Sequence, residues 1–146
     1  MADVRKAKPP TTVSLVWQHD LVLGGQSGNI ELTLDSAGVA GPSPVQTLAF
    51  ALAGCMAIDL VHILTRGRQP VAGLRAQLIG ERAEEDPRRL LKVELRFTVD
   101  GDVPAEKVER AIALSREKYC SVWHSLRQDI QLDTSFEIRP PPERVP

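Results

Sequence analysis

Val13, Leu15 and Trp17 alternate with polar or smaller neighbours, the period-two pattern of a strand. Leu21 to Leu23 predicts a second strand that ends at Gly24-Gly25. Ile30, Leu32 and Leu34, interleaved with Asn29, Glu31, Thr33 and Asp35, predict a third strand with one buried face. The loop SAGVAGP then leads into a long apolar run. Ser43 suits an N-cap, Pro44 the first helical position, and Gln46 completes a capping box. Gly67 supplies the stop after Arg66, so the spacing predicts a helix over 44–66. It is apolar nearly all round, as a helix enclosed by other elements must be.

Leu74, Ala76 and Leu78 alternate again, as do Val93, Leu95, Phe97 and Val99, with the turn EEDPRR between them. This reads as a long β-hairpin with one apolar face. Asp100-Gly101 breaks the second strand, and Pro104 opens an amphipathic helix with Val108, Ala111, Ile112, Ser115 and Tyr119 on one side, ending at Cys120. A short helical stretch reaches Leu126, and a last strand alternates through Ile130, Leu132, Thr134, Phe136 and Ile138. The order βββ-α-ββ-α-β predicts an α+β fold with mainly antiparallel sheets. A helix apolar on all sides needs cover on all sides, which one protomer of this size does not supply. A homodimer that encloses the helix does.

The length of 146 residues suits one domain able to bury a core without disulfides. Residues 11–139 are expected to form it, between a polar N-terminal tail over 1–10 and the C-terminal tail PPPERVP over 140–146. The net charge of −1, with both signs interspersed, offers no basic stripe, so a nucleic-acid partner is not expected. Asp59 and His62 inside the apolar run argue for a core helix and against a membrane span. The start, MADVRKAKPP, has no apolar h-region, and two cysteines are too few for a secreted disulfide framework. The expected location is therefore a reducing cytoplasm, where paired thiols are more often redox-active or metal-binding than structural.

Those two cysteines, Cys55 and Cys120, carry the chemistry. Cys55, Asp59 and His62 fall at i, i+4 and i+7 of the long helix and share a face. His62 favours a Cys55 thiolate there and Asp59 opposes it. The plain alternative is a small core cysteine beside an Asp59–His62 pair. Cys120 ends the second helix in EKYCSVWHSL. A metal site would have to draw on Cys55, His62, Cys120, His124 and His19, but no C-x-x-C or H-x-x-x-H spacing is present, and no metal or cofactor is expected.

GPSPVQTLAFALAGCMAIDLVHIL followed later by SREKYCSVWHSL resembles the OsmC/Ohr family of bacterial proteins, over about Trp17 to Ile138. The resemblance implies an intertwined homodimer in which two central helices pack between sheets built from both chains. It implies thiol-dependent reduction of organic hydroperoxides. Cys55 then stands at the peroxidatic position, which becomes a sulfenic acid. Cys120 stands at the resolving position, which closes a disulfide. A small dithiol or a lipoylated protein is the implied reductant.

The chain departs from the family in the groups that activate the thiol. Active members carry a glutamate ten residues before the cysteine, where this chain has Val45, followed by the neutral Gln46. They also carry an arginine from the N-terminal strand-and-loop region, and here no arginine lies between Arg5 and Arg66. His19, His62, Arg66, Arg68 and Arg127 are the candidate substitutes. The resulting expectation is a hydroperoxide reductase, or a related redox protein of oxidative-stress defence, with weak thiol activation. The alternative is a non-enzymatic protein of the same fold that binds an apolar small molecule at the dimer interface.

Overall fold

The structure, a computed structural model, describes residues 8–141; most of the two expected tails therefore lies outside the described residues. The chain divides into two compact units between Thr47 and Leu48.

The first unit is an antiparallel meander of β1 (Ser14–His19), β2 (Val22–Ser27) and β3 (Ile30–Asp35), in that spatial order. The expected end of β2 at Gly24-Gly25 is corrected: the strand runs through both glycines. A Cβ on Gly25 would lie 2.8 Å from the Leu32 carbonyl oxygen, so glycine here permits a close approach and does not end the strand. The Asp35 carboxylate ends β3 by accepting the N–H groups of Ala37, Val39 and Ala40. The bonds from Ala40 and Ala37 hold its carboxyl below the usual carboxylate range. The alternating apolar side chains do not face a core: Val13, Leu15, Trp17, Ile30 and Leu32 are all exposed.

α1 spans Pro44–Arg66, as its capping signals predict. Ser43 N–H donates to Gln46 Oε1 at 2.9 Å, and Gln46 N–H donates to Ser43 Oγ at 3.2 Å, a reciprocal capping box. Length and composition alone would also let this helix pass as a membrane span. Its packing assigns it to a core: Leu52, Met56, Leu60 and Leu64 recur at i+4 and are all buried.

The second unit continues with β4 (Gly73–Arg82), β5 (Leu90–Asp100), α2 (Ala105–Leu114), a π-helical turn (Ser115–Tyr119), α3 (Ser121–His124) and β6 (Gln131–Arg139). β5 is the middle strand, antiparallel to β4 and parallel to β6. Val93, Leu95, Phe97 and Val99 are buried and join the α1 row, Val108, Ala111 and Ile112 of α2, and Trp123 in one hydrophobic cluster. Among the described residues three of the four strand pairings are antiparallel, in line with the mainly antiparallel expectation, and β5–β6 is the parallel one. Parallel neighbours need a crossover of a dozen residues or more, and residues 101–130, with α2 inside them, provide it. Gly101 turns the chain into that crossover at φ +135°, where any Cβ would strike the Pro70 carbonyl.

Candidate thiol site

At ~100° of rotation per residue, α1 presents three distinct faces. Leu52, Met56, Leu60 and Leu64 form the buried one. Phe50, Ile58 and Val61 form an exposed apolar one, at 72%, 70% and 41% exposure. Cys55, Asp59, His62 and Arg66 occupy the stripe between, so Cys55 is half-buried.

The segment after α2 completes the site. The amphipathic helix expected to run unbroken to Cys120 instead widens into a π-helical turn, in which Cys120 N–H reaches back to the Ser115 carbonyl at 2.8 Å. Cys120 then leaves the helical conformation and caps α3, its Sγ accepting the Trp123 N–H at 3.3 Å. Further bonds brace the turn. Arg116 donates to the Leu132 carbonyl at 2.8 Å and lies 5.9 Å above the Trp123 ring, and His124 Nε2 is 2.9 Å from the Arg116 carbonyl.

These elements bring Cys55 Sγ, Cys120 Sγ and an Asp59 carboxylate oxygen within 4.8 Å of one another. Ser115 Oγ donates to Asp59 Oδ2 at 2.8 Å. The Asp59–His62 pair considered from spacing therefore gives way to an Asp59–Ser115 bond. Ser115, placed by the periodicity only on the apolar side of its helix, is thus a member of the cluster through that bond. The signal in the sequence is a serine on the apolar face of an amphipathic helix, because a buried hydroxyl requires a partner; the structure leaves Ser115 with no solvent exposure. His62, Arg66 and Tyr119 line a cavity of about 460 Å³ together with Asp59, Ile63 and Leu114.

The other named residues are engaged locally. His19 Nδ1 lies 3.0 Å from Asp20. Gln46 is spent on the helix cap. Arg127 binds Asp129 through two nitrogens, each at 2.6 Å. The cluster offers two thiols and one carboxylate as possible metal ligands, one fewer than a closed structural zinc site takes and as many as a catalytic one does. His62 and His124 are not among the three. The arrangement is that of a dithiol with an adjacent carboxylate.

The two thiols are not equivalent. Cys120 has no solvent exposure, and burial pushes its thiol from the ordinary 9.0 up to about 11. The Trp123 N–H opposes that rise, while Cys55 and the Asp59 charge add to it. A group whose folded pKa lies above its unfolded value contributes stability that is complete below the unfolded pKa and is lost as the pH climbs through the folded one. Between pH 9.0 and about 11 the urea midpoint of the wild type should therefore fall more steeply than that of Cys120→Ala. Parallel curves for the two proteins would show that Cys120 holds its proton no more tightly folded than unfolded.

Comparison with known proteins agrees with this architecture. The profile of the OsmC-like protein family matches residues 35–135. Protein YhfA of Escherichia coli (strain K12) is 39% identical over 125 residues, covering 84% of this chain and 93% of YhfA. A hypothetical protein from Aquifex aeolicus VF5 superposes with a TM-score of 0.84 at 28% identity, covering 91% of this chain and 98% of that one. An organic hydroperoxide resistance protein from Legionella pneumophila shares the fold, with a TM-score of 0.65 at 15% identity over 92% of this chain and 99% of its own. With its profile matched across more than two thirds of the sequence, the chain belongs to the OsmC-like protein family.

Proposed function

We propose that this protein is a thiol-dependent hydroperoxide reductase that works as a homodimer in a reducing cytoplasm. The observation that carries the reading is the approach of the two cysteine sulfurs to within 4.8 Å across α1 and the π-helical turn. The hydroperoxide-resistance function of its Legionella pneumophila fold relative supports it as well. Cys55 is the attacking thiol, because it is the more accessible of the two. Its sulfur bonds to the terminal peroxide oxygen, the O–O bond breaks, and an alcohol leaves, so that Cys55–SH and ROOH become Cys55–SOH and ROH. Cys120 then attacks the sulfenic sulfur, forming the disulfide and releasing water. A dithiol, free or on a lipoylated protein, returns both thiols and leaves as its own disulfide.

Exposure supports the dimer. Phe50, Ile58 and Val61 on α1 are an apolar face that a stable monomer rarely leaves in water. A second copy of the chain is the proposed cover.

The direct test is a thiol titration before and after a small dose of cumene hydroperoxide. One equivalent of peroxide per chain should remove both thiols, and dihydrolipoamide should restore them. Two thiols that survive the dose would overturn the peroxidase reading and leave the binding-protein alternative.

A further inference from the structure

The peroxidase reading requires a group that moves protons. Peroxide reduction by a thiol transfers one proton per step: the thiol must lose it, and the leaving alkoxide, a strong base, must gain it. Cys120 adds to the difficulty, since a wholly buried thiol has no water to give its proton to. Among the described residues, Asp59 is the acid–base group that places a carboxylate oxygen within 4.8 Å of both sulfurs.

Resting on the peroxidase reading above, we propose that Asp59 is the proton-carrying catalytic residue for both half-reactions, and that Ser115 positions it. In the first step the Cys55 proton passes to the Asp59 carboxylate as the sulfur bonds to peroxide oxygen. The same proton passes from Asp59 to the departing alkoxide as the O–O bond breaks. In the second step the Cys120 proton passes to Asp59 as the S–S bond forms. It leaves on the hydroxide expelled from the sulfenic acid, as water. The carboxylate is regenerated each time, and no further reactant is needed.

Ser115 is built for the positioning role. Its hydroxyl holds Asp59 Oδ2 at 2.8 Å, and its carbonyl holds the Cys120 N–H at 2.8 Å. One residue thereby sets the carboxylate and the second thiol against each other. The π-helical turn makes this possible, because the i to i−5 bond from Cys120 brings the cysteine back beside the serine. Asp59 also lines the cavity it shares with His62, Arg66 and Tyr119.

The proposal makes two chemistries respond in opposite directions. The Asp59 charge adds to the rise of the neighbouring Cys120 thiol, and an amide in its place removes that charge from beside the thiols. In Asp59→Asn, alkylation of Cys55 by iodoacetamide, followed by peptide mass at neutral pH, should be unchanged or faster. Iodide leaves without a proton, so this rate reads the thiolate population alone. Oxidation of Cys55 by cumene hydroperoxide should slow by about 100-fold, at the lower end of what general acid–base groups contribute. The isosteric amide still accepts the Ser115 hydroxyl, so the fold is retained. Ser115→Ala should slow peroxide oxidation by a smaller factor, and Ser115→Thr should recover it. The assignment is overturned if Asp59→Asn oxidises as fast as the wild type, or if alkylation and oxidation slow together. A wild type that reduces no peroxide while Cys55 alkylates normally would remove the peroxidase reading itself, and the proton role with it.

Discussion

Cys55→Ser is expected to abolish cumene hydroperoxide turnover in the presence of dihydrolipoamide, to the level of the reductant alone. A serine hydroxyl is a far weaker nucleophile toward peroxide oxygen than a thiolate. Cys120→Ser should behave differently. One equivalent of peroxide should oxidise Cys55 to the sulfenic acid, without an internal disulfide to receive the dithiol, and excess peroxide should drive it on to the sulfinic acid. Mass spectrometry distinguishes the states by one or two added oxygens. Steady turnover by Cys55→Ser would move the attack to Cys120 and reverse the two roles. Formation of an internal disulfide by the wild type with no loss in the Cys120 variant's cycling would show that resolution comes from outside the chain.

The second large effect concerns assembly. Ile58→Asp should prevent the dimer and leave little soluble, folded protein. Ile58 is 70% exposed on the single chain, between Phe50 and Val61 on the same face of α1. A buried carboxylate without a partner at the centre of an apolar interface is strongly disfavoured. Obligate interfaces commonly bury more than about 2,000 Å² in total, and the wild-type unfolding midpoint should accordingly rise with protein concentration. Sedimentation of the wild type as a folded monomer at micromolar concentration would overturn the dimer. So would an Ile58→Asp protein with wild-type stability and mass.

Sequence and structure divide the work by range. The capping box at Ser43 and Gln46, the stop at Gly67 and the period-two runs of β4, β5 and β6 are local signals, and the elements follow them closely. The stripe that groups Cys55 with Asp59 and His62 follows from helix geometry alone. The glycine pair in β2 misled because a strand break and a close backbone approach call for the same residue.

Tertiary structure decided the rest. Which partner Asp59 takes depends on Ser115, 56 positions away in the chain, and no periodicity encodes a bond of that range. The π-helical turn that sets Cys120 is one residue wider per turn than the amphipathic pattern through which it runs, so hydrophobic spacing alone extends α2 too far. The parallel pairing of β5 with β6 likewise depends on where α2 returns the chain. The two thiols and their carboxylate were thus legible as residues, while their meeting depended on packing between elements distant in sequence.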